Sequence, residues 1–265
     1  MRRCVPIVIA CVALAAATGC SGSRRWRATS PPATLATTTT TRPPRRPVIL
    51  LYGTFAATDW TMIEDALAAR GDPVFRFDYG NGGTGEITRS GQQLAAFVEE
   101  VRARTGAGRV SLIGHSQGAV VARYYVKFLD GRRDVDDLIA LSPPNHGTTS
   151  PMAIPAALLG AACPACTEQV ANSPFLTSLN DGDEAPPPVD YTIIQTRYDL
   201  VVTPYSSAFL QGPSGRVTNM TLQDRCPDDF VGHTGITSDP IALRAVEDAL
   251  DHAGPADAER VTGGC

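Results

Sequence analysis

The segment Gly114-His115-Ser116-Gln117-Gly118 is the part of this sequence whose residue types and spacing best fit catalysis. It follows an apolar run at 110–113 that predicts a buried strand, and it precedes an amphipathic stretch that predicts a helix. A serine between two glycines at such a junction lies on a sharp turn with its hydroxyl exposed. The backbone N–H of Gln117, at the helix start, points toward the oxygen that becomes negative when a carbonyl is attacked. The pattern therefore predicts Ser116 as a nucleophile for acyl transfer.

A serine hydroxyl needs a base to take its proton, and the chain has four histidines. Serine turns of this kind are typical of α/β-hydrolases, in which an acid and then a histidine follow along the chain. His233 fits that order, because it lies between the last predicted strand and the last predicted helix. His115 is expected to point away across the turn, and His252 at a helix end is expected to be a solvated surface residue. His146 directly follows a strand and remains the alternative base.

The acid that orients the base should follow a strand and precede His233. Asp199 meets both conditions, because it comes shortly after the strand predicted at 191–194. Asp224, Asp228 and Asp229 are the rivals, but they lie too near His233 in the chain to come from a separate strand end. We therefore predict Asp199 as the acid and interpret the other three as solvated loop residues.

A second oxyanion donor is expected from the loop that follows the first strand, Tyr52-Gly53-Thr54-Phe55. Gly53 allows the chain to turn, and the N–H of Thr54 is the candidate donor. The alternative is a plain turn that ends a strand. The two predicted oxyanion donors are thus the N–H groups of Thr54 and Gln117.

Strand and helix patterns alternate through the chain, which predicts an α/β fold with a mostly parallel sheet and helices on both faces. We predict strands at 48–51, 74–77, 110–113, 138–141, 191–194 and 217–222, and helices at 60–70, 86–104, 117–129 and 240–250. Ser238 or Asp239 is expected to cap the last helix. Active sites on such sheets lie beyond the carboxyl ends of the strands, where the predicted site residues fall.

The N-terminal segment differs from the rest of the chain. Residues 1–20 combine two arginines with a short apolar run, which predicts a cleaved secretory signal, because the run is too short to span a membrane. Ala17-Thr18-Gly19-Cys20 is similar to a bacterial lipobox, so lipidation of Cys20 is one interpretation and an ordinary signal peptide the other. Residues 21–47 are rich in Thr, Pro and Arg and predict an extended linker. Residues 48–265 are then the α/β-hydrolase domain.

Cysteine usage favours an oxidising compartment, since Cys163, Cys166, Cys226 and Cys265 form an even set in the predicted domain. Of the three possible pairings, we favour Cys163–Cys166 with Cys226–Cys265. A redox motif or half of a zinc site at Cys163–Cys166 is the alternative, but no second cysteine pair has ligand spacing.

Composition excludes one class of function and leaves others open. The formal net charge is −4 and the basic residues are scattered beyond the N-terminal stretch, so nothing indicates a nucleic-acid-binding surface. The proposed chemistry needs no cofactor and no metal, although a structural calcium ion is not excluded. We expect a monomer. Ile154, Leu158 and Leu159 are interpreted as core residues, with a small lid as the alternative.

The chain resembles the secreted bacterial class 2 lipases, the lipase EstA family, from about Pro47 to Leu250. The resemblance rests on these segments, in order: Phe77-Asp78-Tyr79-Gly80, Gly114-His115-Ser116-Gln117-Gly118, Arg123-Tyr124-Tyr125, Pro144-Asn145-His146-Gly147-Thr148-Thr149, Tyr198-Asp199, Val202-Thr203-Pro204-Tyr205, Leu222-Gln223-Asp224, Cys226-Pro227 and His233.

The resemblance implies carboxylic ester hydrolysis, often of triacylglycerols, with Ser116, Asp199 and His233 as the triad and His146 as a structural residue. The expected substrate is thus a lipid or another ester. The runner-up substrates are phospholipid, wax, polyester and cell-wall esters, and a non-catalytic surface lipoprotein is the rival from another class. One position departs from the family, which usually has His-Gly after the first strand, where this chain has Tyr52-Gly53. The backbone N–H should persist there, but a phenol replaces the supporting histidine.

Overall fold

Six strands form one sheet in which every neighbouring pair runs parallel, in the order β2-β1-β3-β4-β5-β6. The computed structural model describes residues 45–151, 153, 158, 160–263 and 265. The strands are β1 (Val48–Leu51), β2 (Val74–Phe77), β3 (Val110–His115), β4 (Val135–Leu141), β5 (Asp190–Gln195) and β6 (Val217–Thr221). The predicted signal segment, Cys20, the linker to residue 44, Ile154 and Leu159 lie outside the described residues.

Six α-helices accompany the strands in the described part of the chain. They are α1 (Thr61–Arg70), α2 (Ile87–Thr105), α3 (Gln117–Phe128), α4 (Pro164–Glu168), α5 (Pro174–Asn180) and α6 (Pro240–Asp251). None of these helices combines the length and apolarity that crossing a membrane would require. The described residues belong to one compact unit.

Each face of the sheet carries its own apolar core. On one face, Ile49 and Leu112 pack with Leu94 of α2 and Val121 of α3. On the other face, alternate residues of the same strands pack with α1 and α6, among them Ile63, Leu67, Ile241 and Val246. Both faces are covered, which is why the strands read as continuous apolar runs rather than as alternating patterns. The prediction of an α/β sheet with helices on both faces is confirmed.

The predicted strands and long helices are all present, with ends displaced by a few residues. Asp239, one of the two proposed caps of α6, accepts hydrogen bonds from the backbone N–H groups of Ile241 and Ala242, so it is the cap. The sequence reasoning missed α4 and α5, because helices of five and seven residues are too short to show a 3.6-residue period.

The cysteines and Leu158 answer two further sequence predictions. Cys163 is bonded to Cys166 and Cys226 to Cys265, which is the pairing that the sequence analysis favoured. Leu158 is 81% exposed, so the interpretation of this residue as core is wrong.

Candidate active site

A strained turn between β3 and α3 presents Ser116. Its backbone has φ 54° and ψ −124°, a conformation that L-residues rarely adopt. The turn requires its two glycines: a methyl group at Gly114 would lie 2.4 Å from the Ala119 nitrogen, and one at Gly118 would lie 2.4 Å from the Leu51 carbonyl oxygen. The spacing of the motif is therefore a packing requirement of the junction between β1, β3 and α3.

The structure brings together the three residues predicted as the triad. The Oγ of Ser116 lies 3.0 Å from the Nε2 of His233, and the Nδ1 of His233 lies 2.8 Å from the Oδ2 of Asp199. The three come from the turn after β3, the loop after β6 and the loop after β5, so the sheet collects residues that are up to 117 positions apart. Nδ1 faces a carboxylate, so this nitrogen carries the proton and Nε2 is free to accept one from Ser116.

The surroundings of Asp199 keep its carboxylate ionised. Its Oδ1 accepts hydrogen bonds from the N–H groups of Val201 and Val202, each at 2.8 Å. Burial acts to raise the pKa of Asp199, but the hydrogen bond from His233 and these two N–H groups outweigh it and hold the pKa below its usual value. A charged, fully hydrogen-bonded carboxylate can fix the ring of His233 and stabilise its cationic form.

The two predicted oxyanion donors, the backbone N–H groups of Thr54 and Gln117, lie in the turns that follow β1 and β3. Within the described residues, neither the N–H of Thr54 nor that of Gln117 has a hydrogen-bond acceptor. Their side chains are joined, since the hydroxyl of Thr54 donates to the Oε1 of Gln117 at 2.6 Å. The Nε2 of Gln169 lies 3.2 Å from both side-chain oxygens. Phe55, the residue after Thr54, has φ 64°, so the loop after β1 is held in an uncommon conformation.

An apolar pocket of about 290 Å³ opens beside Ser116. Its lining includes both predicted catalytic side chains that must meet substrate, Ser116 and His233, together with Thr54. The remaining lining residues are mostly apolar, such as Pro144, Val170, Val201 and Val202, with the sulfur-bearing Cys166 also present. A small apolar cavity with a few convergent polar groups is the usual form of a small-ligand site.

Tyr52, which stands where the family usually has histidine, points into the fold. Its ring stacks on Tyr79 with centroids 4.3 Å apart, and its hydroxyl lies 2.8 Å from Asp78 Oδ1. The hydroxyl of each of these tyrosines also binds the backbone carbonyl of the other. The two tyrosines thus join the segments that follow the carboxyl ends of β1 and β2. Tyr52 is absent from the described lining of the pocket.

His115 is a correction to the sequence analysis, which expected it to point away across the turn. Its ring lies 4.9 Å from the ring of His233 between centroids, and it lines the pocket. Its Nε2 is 2.9 Å from the carbonyl oxygen of His233, and its Nδ1 is 3.0 Å from Thr58 Oγ1. The turn presents the Ser116 side chain to the pocket and leaves that of His115 packed beside the ring of His233.

The other histidines and acids that were weighed as the base or the orienting acid make different contacts. His146 binds Glu184 at 2.9 Å and the carbonyl oxygen of Ser207 at 3.1 Å, and the Glu184 hydrogen bond raises its pKa. His252 binds Asp248 on the last helix. Asp224 pairs with Arg197 at the surface. Asp229 differs from a solvated loop acid, because its Oδ1 accepts the N–H of Val231 and its side chain interacts with that of Asp239.

Two buried polar residues, Gln223 and Arg123, were given no role by the sequence analysis. Gln223 accepts the Arg197 N–H and donates to the carbonyl oxygen of Asp229, which ties the loop of Asp199 to the loop of His233. Arg123, on the buried face of α3, binds Asn145 and Asn180, and burial lowers its pKa to about 10, so it stays charged at neutral pH. A lone arginine among apolar helix residues was the available signal.

Comparison with known proteins gives the family. Residues 45–245 match the family model described as Lipase (class 2), which is about three quarters of the chain. The chain belongs to the class 2 lipase family.

The described residues contain no group of three or more His, Cys, Asp or Glu side chains arranged to hold a metal ion.

Curated relatives of this class 2 lipase include bacterial triacylglycerol lipases. One from Burkholderia plantarii is 38% identical over 137 residues, 46% of this chain and 34% of that protein. One from Pseudarthrobacter phenanthrenivorans is 41% identical over 93 residues, 29% of this chain and 27% of that protein. The matches thus span about a third or less of the length of these relatives.

Solved structures share the fold. Aspergillus fumigatus lipase B aligns with a TM-score of 0.71 and 26% identity, covering 82% of this chain and 54% of that one. A monoacylglycerol lipase from Paleococcus ferrophilus aligns with a TM-score of 0.55 and 15% identity, covering 77% of this chain and 93% of that one, which shows the fold alone.

Proposed function

We propose that this class 2 lipase is a carboxylic ester hydrolase that acts on lipid esters, triacylglycerols first among them, through an acyl-enzyme. The observation that carries the proposal is the continuous chain from Ser116 Oγ through His233 to Asp199, at 3.0 and 2.8 Å, beside two N–H groups without acceptors. Nucleophile, base, orienting acid and oxyanion donors are the complete set of groups that acyl transfer requires.

In the proposed mechanism, His233 Nε2 takes the proton of Ser116 as Oγ attacks the ester carbonyl. The N–H groups of Thr54 and Gln117 stabilise the negative oxygen of the tetrahedral intermediate. His233 then gives its proton to the departing alcohol oxygen, which leaves an ester of Ser116. Water loses a proton to His233 and attacks this ester, which forms a second oxyanion. The bond to Ser116 Oγ then breaks, His233 returns its proton to Oγ, and the carboxylic acid is released with Ser116 restored.

The surface around the pocket supports a lipid rather than a water-soluble ester as substrate. A cavity of about 290 Å³ lies at the low end for ligand pockets, so it fits an ester group with one acyl arm better than a whole triacylglycerol. Phe55, which lines the pocket, is 55% exposed, and Leu200, next to the lining residue Val201, is 63% exposed. Phe230 is 69% exposed and contacts Tyr198. These exposed apolar residues suit the remainder of a lipid or its aggregate.

We further infer that residues 48–265 are the catalytic domain and that the protein is exported, with Cys20 lipidation as the anchor to be tested. Two disulfides support the export proposal, because such bonds persist in oxidising compartments. Mass spectrometry of the mature chain decides the anchor: a diacylglyceryl mass on an N-terminal Cys20 supports it, and an unmodified terminus rules it out.

The function is tested with p-nitrophenyl esters from acetate to palmitate. Ser116→Ala should reduce kcat by about 10⁴-fold or more, since the nucleophile is lost. Ser214→Ala, at an exposed serine, is the matched control and should equal wild type. A fluorophosphonate should label wild type and the control but not Ser116→Ala. A folded wild type that hydrolyses no ester, from soluble acetate to emulsified triacylglycerol, phospholipid or polyester, would favour a binding protein instead.

A further inference from the structure

His115 touches three parts of the proposed active site from a single buried position. It precedes Ser116 in the chain, and its side chain is almost entirely buried at 2% exposure. Its Nε2 contacts the carbonyl oxygen of His233, the base. Its Nδ1 contacts Thr58 Oγ1, and that oxygen lies 2.9 Å from the N–H of Gly53, the residue before the oxyanion donor Thr54.

The chemistry of these contacts fixes the direction of each hydrogen bond. A carbonyl oxygen only accepts, so the Nε2 of His115 carries the proton and donates to His233. In the neutral ring Nδ1 is then an acceptor, and it receives the hydroxyl proton of Thr58. The Thr58 oxygen in turn accepts the N–H of Gly53. The result is one uninterrupted path from the oxyanion loop through Thr58 and His115 to the backbone of the base.

We propose that His115 and Thr58 are positioning residues that hold the oxyanion loop and the base in register during acyl transfer. This inference rests on the proposed function. The reaction needs the N–H of Thr54 and the ring of His233 on opposite sides of one carbonyl, and those groups sit on loops after β1 and β6, at distant places in the sheet. The path through His115 is a direct polar link between these loops, and it passes beside the nucleophile.

The neutrality of His115 suits this task. Burial, and then the nearby charge of His233, lower the pKa of His115 to about 3, so the ring carries no charge at neutral pH. His233 becomes cationic in the tetrahedral intermediate, and its ring centroid is only 4.9 Å away. A neutral donor can hold the backbone of the base without opposing that charge.

Thr58 gives the sharpest test, because it is only half-buried and is absent from the described lining of the pocket. Thr58→Val keeps the shape but removes the hydroxyl, so it breaks the path at its centre. We expect kcat on p-nitrophenyl butyrate to fall by roughly 10- to 100-fold, as for small misplacements of reacting groups. KM and the melting temperature should stay near wild type. Thr58→Ser restores the hydroxyl and should recover most of the lost kcat.

Two further variants separate positioning from general stability. Thr61→Val makes the same substitution at an exposed threonine whose hydroxyl donates to the Oδ1 of Asp59, and it should match wild type. His115→Phe removes both polar contacts within a similar ring. If the path acts as a unit, the double variant Thr58→Val with His115→Phe should lose no more kcat than the worse of the two single variants. The second substitution then acts on a path that is already broken.

The outcomes distinguish this inference from the proposed function. If wild type is active and Thr58→Val has the kcat of wild type, the positioning role is wrong while the hydrolase proposal stands. Independent, multiplying losses in the double variant would also overturn it. If wild type has no esterase activity, both proposals fail together. A kcat loss in Thr58→Val that Thr58→Ser reverses, at unchanged KM and melting temperature, supports the positioning role.

Discussion

Replacing Asp199 by asparagine should nearly abolish activity while preserving the fold, and the reason lies in two backbone N–H groups. The Oδ1 of Asp199 accepts the N–H groups of Val201 and Val202. In Asp199→Asn the amide oxygen must take that position, because the alternative would set an NH2 group against two donors. The NH2 group then faces Nδ1 of His233, which becomes an acceptor. The ring proton moves to Nε2, where it points at Ser116 and prevents proton abstraction.

The size of the effect follows from the cost of the opposite amide orientation. Leaving a buried donor unsatisfied costs about 1–3 kcal/mol, so two such groups cost about 2–6 kcal/mol. At about 1.4 kcal/mol for each factor of ten, the unproductive tautomer is favoured by roughly 30-fold to 10⁴-fold. We therefore expect kcat of Asp199→Asn to fall by roughly 30-fold to 10⁴-fold, with circular dichroism and KM close to wild type.

The assay is steady-state hydrolysis of p-nitrophenyl butyrate at pH 7 to 8, beside Asp228→Asn as the matched control. Asp228 is an exposed acid on the loop of His233, and its change should leave kcat unaltered. A crystal structure of Asp199→Asn should show the amide oxygen toward the two N–H groups. If Asp199→Asn keeps more than a tenth of wild-type kcat, or if Asp228→Asn loses as much, the orienting role assigned to Asp199 is refuted.

Three further results are expected. Gly118→Ala should destabilise the fold by about 3 kcal/mol or more in urea unfolding, because the new methyl would lie 2.4 Å from a carbonyl oxygen of β1. Asp229→Asn should stabilise the protein at pH 7.5 more than at pH 4.5, because burial and the Asp229 carboxylate raise the pKa of Asp239 to about 6, above its value near 3.9 in the unfolded chain. Asp239 in the folded state then binds its proton more tightly than in the unfolded chain. The stability that this proton contributes is therefore fully present below about pH 4 and is lost as the pH rises through about 6. Leu200→Asp should lower hydrolysis of emulsified triacylglycerol by about tenfold, because that factor corresponds to the free energy gained by burying part of a leucine side chain. Hydrolysis of soluble p-nitrophenyl acetate should be unaffected.

Each of these results has a matched comparison. Gly85→Ala adds the same methyl where no atom lies within 4 Å, so equal destabilisation by both glycine changes would contradict the packing argument. For Asp229→Asn, thermal unfolding at both pH values is decisive, and a pH dependence identical to wild type would show that the two carboxyls do not interact. Phe128→Asp is the control for Leu200→Asp, because it introduces the same charge at another exposed apolar residue, the last one of α3. Equal loss on emulsion from Phe128→Asp and Leu200→Asp would mean that the apolar residues beside the pocket have no special part.

Local patterns in the sequence were enough for the strands, the long helices and the serine turn. Buried parallel strands are apolar throughout, helices carry a 3.6-residue period, and Gly114 and Gly118 report close contacts at the turn. Chain order and position relative to the predicted strands and helices selected Asp199 and His233. The structure places His233 within hydrogen-bond distance of Ser116, and Asp199 within hydrogen-bond distance of His233. Their catalytic roles stay a prediction until the variants are measured.

Other features depended on contacts that no local pattern encodes. Thr58 and His115 are 57 positions apart, and His115 and His233 are 118 apart, so only the assembled sheet shows that they form one path. The sequence shows only that Tyr52 stands where the family usually has histidine. The fold stacks its ring on Tyr79, and Tyr52 is absent from the described lining of the pocket. The sequence by itself determined which elements form and which residues have suitable chemistry, because those depend on neighbours a few positions away. The tertiary structure decided which polar groups meet, because a buried side chain takes its partners from whatever the folded sheet brings within about 3 Å.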